Sequence, residues 1–277
     1  MGILNVTPDS FSDGGRFLAV NAATDHGLAL LERGADILDI GAESTRPNAT
    51  PIDSAEEQAR LLPVLESIRK ANPGAILSVD TYHACTARAA MEGGAEIIND
   101  VSGLTWDRSM AGTVADGAGS PGLVLMHTRG RPREWQTLRR LDGGAVEELV
   151  RGGLRASLET AKEAGISLDR IVLDPGFGFG KLREENFSLL ARLSSLGDLG
   201  RPLLAGLSRK GFLAQAPVSA PVGEILTDSP VPATMRLHAT LAANTAAILA
   251  GAHVVRVHDV GAATEAASVA DALLAAL

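Results

Sequence analysis

The sequence predicts an α/β protein: a single-domain (β/α)8 barrel of the TIM type, with its active site at the C-terminal ends of the strands. Three observations predict it. Eight short apolar runs recur along the 277 residues, at 2–6, 37–40, 76–79, 96–98, 123–126, 171–173, 203–207 and 254–257, each followed by a stretch of helical pattern. The runs are nearly continuous rather than alternating, as strands buried on both faces should be. Neither a linker nor a shift of composition interrupts them, so residues 1–277 read as one domain of the usual barrel size, about 250 residues. An open doubly wound sheet is the structural alternative, but eight consecutive units favour closure.

The intervals carry the helices. Amphipathic stretches cover 22–33, 54–70, 144–164 and 234–250, and two intervals, 102–120 and 128–142, are long enough to hold a loop as well. Gly34, Gly94, Gly165 and Gly251 each lie shortly before a strand. Glycine accepts the left-handed conformation that ends a helix, so the repeated helix–Gly–strand spacing reads as stacked βα units.

Composition excludes several classes. Aromatics are 3% of the chain while hydrophobics are 45%, which suits a core of branched aliphatics. A net charge of −8 argues against nucleic acid or an acidic membrane as a partner. No apolar stretch approaches the roughly 20 residues of a membrane span, and the first residues carry no leader pattern. One cysteine, Cys85, allows no internal disulfide, and the expected location is the cytoplasm.

Polar residues at the C-terminal ends of barrel strands read as an active site, and here every strand ends in them. In order they are Asn5; Glu43-Ser44-Thr45-Arg46-Pro47; Asp80-Thr81; Asn99-Asp100; Met126-His127 with Arg129; Asp174 through Lys181; Ser208-Arg209-Lys210; and Arg256-Val257-His258-Asp259. Arg46, Lys210, Arg256 and His258 suit an anion such as phosphate. Asp80, Asn99 and Asp174 suit the edge of a polar heterocycle, where one carboxylate can meet two neighbouring N–H groups. The ligand this set requires has a donor-rich ring at one end and phosphate at the other. Taken singly, each residue has a plainer reading: a strand-end Asp caps a helix, and His83 or His127 simply packs. Eight strand ends together are harder to dismiss.

These motifs resemble the dihydropteroate synthase family. The resemblance rests on Gly2 through Gly15, Glu43 through Pro47 after an Asp39-Ile40-Gly41 strand end, Ser78-Val79-Asp80-Thr81, Ile98 through Gly103, Met126-His127 with Arg129-Gly130, Asp174 through Lys181, Ser208-Arg209-Lys210 and Arg256 through Asp259. The chain departs from the family's usual residues at Ala42, Asn48, His83 and Trp135, beside the motifs rather than within them. The resemblance implies condensation of 6-hydroxymethyl-7,8-dihydropterin pyrophosphate with p-aminobenzoate, releasing pyrophosphate, in a Mg2+-assisted displacement that sulfonamides inhibit. It implies that Asp80, Asn99, Met126, Asp174, Gly206, Lys210 and Arg256 hold the pterin. It implies Asn5, Thr45, Arg256 and His258 for pyrophosphate, with Asn5 also on the metal. Arg46, Pro47, Phe179 and Ser208 then shape the p-aminobenzoate pocket. Asp13, Arg46, Asp174 and Lys210 are the expected catalytic set, and a homodimer is the expected assembly. A pterin-dependent methyltransferase, or a pterin binder without catalysis, is the competing expectation; the first has no use for the cation cluster, and the second would show loss of Asn5, Asp13, Arg46 or Lys210, none of which is lost.

Overall fold

The computed structural model describes residues 1–6, 15–43, 51–215 and 232–277. Its strands are β1 (Gly2–Asn5), β2 (Ile37–Gly41), β3 (Ile76–Asp80), β4 (Ile97–Asp100), β5 (Gly122–Met126), β6 (Ile171–Asp174), β7 (Leu203–Ala205) and β8 (Ala252–Val255). They alternate with α1 (Gly15–Glu32), α2 (Ser54–Ala71), α3 (Ala84–Glu92), α4 (Met110–Ala115), α5 (Gly143–Glu163), α6 (Arg183–Ala191), α7 (Leu237–Leu249) and α8 (Val260–Ala275). All eight strands are parallel and pair in chain order. The sheet curls until its last strand meets its first. Ile3 N–H donates to the Val257 carbonyl and Val257 N–H to the Met1 carbonyl, both at 2.9 Å.

Each expected strand is present, with ends displaced by a residue or two. β4 runs on through Asp100, and β8 starts earlier than its apolar run. The interval 102–120 contains the short α4, and 128–142 contains a 3-10 turn at Pro132–Thr137.

Strand register explains which residues reach the site. Side chains alternate along a strand, and neighbours in register share a face. One face carries Leu38, Ile40, Leu77, Val79, Ile98, Leu123, Leu125, Ile171 and Leu173, all in the apolar core against the helices. The other parity is the barrel interior. There Asp39 lies opposite Ser78, Gly41 opposite Asp80, Asp80 opposite Asn99, and Met126 opposite Asp174. The expectation of strands apolar on both faces therefore holds only for the outer face. The inner face turns polar over its last few residues, and Asp39 and Ser78 are fully buried there.

The helix ends follow the sequence reading closely. Gly34, Gly94 and Gly165 have φ near +90°. The residue after each donates back to the carbonyl five positions earlier, as Ala35 does to Leu30. Such closures satisfy otherwise orphaned carbonyls and turn the chain into the next strand. The sheet is least regular at β7. β6 and β7 share a single register pair, Leu173 opposite Leu203, and the β7–β8 pairing slips between Leu203 and Leu204.

Adjacent glycines in α5 should respond to alanine with opposite signs. A Cβ on Gly152 meets nothing within 4 Å, so Gly152→Ala should stabilise by about 1 kcal/mol through helix propensity. A Cβ on Gly153 would lie 2.4 Å from Cδ2 of the buried His127 ring. Gly153→Ala should therefore destabilise by roughly 1–3 kcal/mol, because overpacking outweighs propensity. Urea melts of the two variants check this.

Candidate active site

Three linked clusters form at the C-terminal strand ends. The first is built on a buried carboxylate, Asp39 of β2. One of its oxygens accepts from Ser78 Oγ at 2.6 Å. The other accepts from Asn99 Nδ2 at 3.0 Å and from Arg256 Nε at 2.6 Å. A second guanidinium nitrogen of Arg256 donates to Asp80 Oδ2 at 2.7 Å. Burial disfavours charge on Arg256, but Asp39 and Asp80 more than offset it and hold its pKa above the ordinary value. Burial pushes Asp80 up to about 7, with Arg256 pulling the other way. Asn99 spends one of its two N–H groups on Asp39, which leaves the other N–H and the carbonyl oxygen for further partners.

The second cluster lies where β6 and β7 end. Asp174 Oδ1 accepts from Gly176 N–H at 2.7 Å, and a Cβ at Gly206 would sit 3.7 Å from Asp174 Oδ2. Burial raises the Asp174 pKa, against the backbone hydrogen bond and the charge of Lys210. Lys210 is pushed down to about 8 by burial, with Asp174 opposing. Its Nζ stands 4.2 Å from the centre of the Phe179 ring, and Trp135 meets that ring edge-on at 5.4 Å. The substituted Trp135 is thus a direct support of Phe179.

The third cluster joins the loops after β7 and β8. Ser208 Oγ accepts from His258 N–H at 3.1 Å and lies 2.9 Å from His258 Nδ1. Arg209, at φ +57°, forks onto Asp259 through Nε at 3.0 Å and a terminal nitrogen at 2.6 Å. Arg209 therefore faces the neighbouring loop rather than the cavity. Burial, then Arg209 and Arg256, push His258 down to about 4. Asn5 ends β1 in an exposed position, opposite Gly41.

Of the sequence-expected residues, Asp80, Asn99 and Arg256 form one network, and Asp174, Gly206, Lys210 and Phe179 form another. Met126 is buried beside Asp174 in register, and Ser208 pairs with His258. Asp13, Thr45, Arg46 and Pro47 lie outside the described residues. His127 is a buried packing residue, consistent with its plainer reading. His83 stands 3.6 Å from Glu43, whose other oxygen accepts from Tyr82 Oη at 2.9 Å.

Three residues were missed as site elements. Asp39 was visible as a lone charge inside an apolar run. Lys181, buried, donates to the carbonyls of His127, Gly176 and Phe179 at 2.8, 2.8 and 3.3 Å. Glu185, also buried, accepts from Leu141 N–H at 2.6 Å, Leu182 N–H at 2.7 Å and Arg129 at 3.2 Å. Together they bind the loops after β5 and β6 into one support for Phe179. Nothing in local sequence shows that a lysine will turn inward onto three carbonyls.

Residues 1–258 match the family model described as pterin binding enzyme. The chain is 41% identical over 273 residues to a dihydropteroate synthase of Synechocystis, covering 99% of this chain and 89% of that protein. Its fold is similar to that of Xanthomonas albilineans dihydropteroate synthase solved with 4-aminobenzoic acid: TM-score 0.86, 42% identity, 99% and 92% of the two chains. It is also similar to Yersinia pestis dihydropteroate synthase in a sulfonamide complex: TM-score 0.87, 36% identity, 99% and 94% covered.

Two stability measurements test the electrostatics. Asp39→Ala removes the acceptor shared by Ser78, Asn99 and the half-buried Arg256 and leaves Arg256 with Asp80 alone, which should cost about 3 kcal/mol in urea unfolding; a loss below about 1 kcal/mol would show that the pair contributes little. Burial, then Lys181 and Arg129, depress the His127 pKa to about 2. The folded imidazole stays neutral while the unfolded one takes a proton as pH falls below about 6.5. Its contribution is therefore complete above pH 6.5 and is lost as pH falls toward 2. Between pH 6 and 5, the stability difference between wild type and His127→Asn should shrink by up to about 1.4 kcal/mol. Parallel curves would contradict the assignment.

Proposed function

The chain belongs to the family of pterin-binding enzymes, and we propose that it acts as a dihydropteroate synthase, one (β/α)8 domain with its active site at the C-terminal strand ends. The reaction joins 6-hydroxymethyl-7,8-dihydropterin pyrophosphate to p-aminobenzoate and releases pyrophosphate, a transferase step of folate synthesis. The observation that carries this reading is the wall of Asp39, Asp80, Asn99 and Arg256, with Asp174 and Lys210 near it. Its fixed donors and acceptors suit a flat ring rich in N–H groups, and its cations suit the phosphate end.

In this reading Asp174 takes adjacent N–H groups of the pterin, and Asn99 and Asp80 hold its remaining edge. Met126 and Gly206 lie against its face, and Arg256 stacks beside it. The methylene–oxygen bond then breaks, its electron pair leaving with pyrophosphate and positive charge developing on the methylene. Asn5, Thr45, Arg256 and His258 receive the leaving group, while Asp13 and Asp174 stabilise the cation. The amine of p-aminobenzoate donates its lone pair to the methylene and loses a proton to water. Arg46, Pro47 and Phe179 place that amine, and positioning is most of what it needs.

Asn5 offers a neutral amide oxygen at the exposed end of β1. That donor fits Mg2+, which takes most of its ligands from phosphate oxygens and water. When bound, the ion supplies charge neutralisation for the departing pyrophosphate. No helix of the described residues is long and apolar enough to cross a membrane, and a cytoplasmic location is part of the proposal. Exposed Leu249, Val269, Leu273 and Leu274 on α7 and α8 favour a homodimer through those helices.

The test is product formation from the dihydropterin pyrophosphate, Mg2+ and labelled p-aminobenzoate. Labelled dihydropteroate is expected, with kcat/KM about 100-fold lower in Lys210→Ala or Arg256→Ala. A sulfonamide should compete with p-aminobenzoate. Absence of product while the pterin still binds would overturn the catalytic reading in favour of a binder.

A further inference from the structure

Ser208 was expected at the p-aminobenzoate pocket, yet its hydroxyl is committed elsewhere. Its oxygen already accepts the backbone N–H of His258. Among the described residues its other contact is the ring nitrogen Nδ1 of the same histidine, at 2.9 Å. A serine hydroxyl has one proton to give and two lone pairs, and among the described residues Nδ1 is the acceptor within reach of that proton. With the hydroxyl proton directed to Nδ1, the ring carries its own proton on Nε2.

We propose that Ser208 is a positioning residue that fixes His258 as its Nε2–H tautomer, so that His258 meets the departing pyrophosphate as a neutral hydrogen-bond donor. The inference rests on the functional reading above for the identity of the anion, but not for the tautomer. The surroundings explain why neutrality is useful. Among the described residues, Arg209, Arg256 and Lys210 bear positively on this ring and Asp259 bears negatively. Asp259 is itself forked by Arg209. A further positive charge would be repelled by the cations that hold the anion, whereas a directed N–H adds a bond without that repulsion. The backbone leg of the contact matters as well. Because one oxygen engages both the His258 amide and its ring, the ring cannot rotate without losing an accepted proton. Two successive loops are thereby held in register.

The tautomer can be read directly from the ligand-free protein by 15N NMR of the histidine rings. Wild type should show a pyridine-like Nδ1 and a pyrrole-like Nε2 for His258, assigned by its loss in His258→Gln. Ser208→Ala should give a mixed or inverted pattern and bind inorganic pyrophosphate about tenfold more weakly, with pterin affinity unchanged. Ser208→Thr, which keeps the hydroxyl, should restore both. A protonated Nδ1 in wild type, or an unaltered pattern in Ser208→Ala, would overturn the proposal. So would equal loss of pterin and pyrophosphate binding in Ser208→Ala, which a merely structural role predicts. The expected NMR pattern in a protein that binds no pyrophosphate would instead overturn the functional reading and leave the tautomer assignment standing.

Discussion

The site depends on one constraint: a carboxylate with no access to water must be matched by protein donors. Asp39 is fully buried, and the interior offers it Ser78, Asn99 and Arg256. Each of those donors is thereby fixed in orientation. Arg256 is drawn across from the end of the last strand to β2 and β3, and one N–H of Asn99 is held on β2. A buried ion pair of this kind contributes little net stability over an apolar replacement, but losing half of it is costly. Its value here lies in orientation. Donors set before the ligand arrives need no rearrangement when charge develops.

The loops after β5 and β6 solve a related problem with a different charge. Lys181 is pushed well below its ordinary pKa by burial, with Asp174 drawing it back. Two of the three carbonyls that converge on it come from the Gly176–Gly180 segment, which bends repeatedly through positive φ, and the third is that of His127. At Gly176 a Cβ would fall 2.0 Å from the His127 carbonyl, so no other residue fits that approach. Phe179 sits on this platform, with Trp135 on its edge and Lys210 over its face.

Much of the architecture was legible in the sequence because its signals are periodic and local. Strand runs, helix-ending glycines and polar strand termini each report a short stretch of chain, and all three survive in the structure. The apolar core reading failed on the inner face, where Asp39 and Ser78 interrupt it. A single charge within an apolar run reads equally as a strand end, and its partners lie 39, 60 and 217 residues away. Lys181 and Glu185 were hidden for the same reason, since their partners are mostly main-chain atoms and carry no residue type to recognise. Ser208 was placed at the right loop, but its commitment to His258 is set by how two successive βα units pack. Sequence order cannot express that distance.

The uneven sheet at β7 has a consequence for how the molecule breathes. With one register pair to β6 and a slip against β8, β7 has fewer ladder bonds to break than β2 through β5. Sub-global opening follows such seams, because their cooperative unit is smallest. Amide exchange in this protein would then be fastest, among the strands, along β7 and slowest around β2 and β3. The loop just beyond β7 would take part in that opening together with the β8 loop, to which Ser208 ties it through His258, while the Asp39 network stays shut. The site would thus combine a rigid wall on the β2–β3 side with a more yielding one at β7.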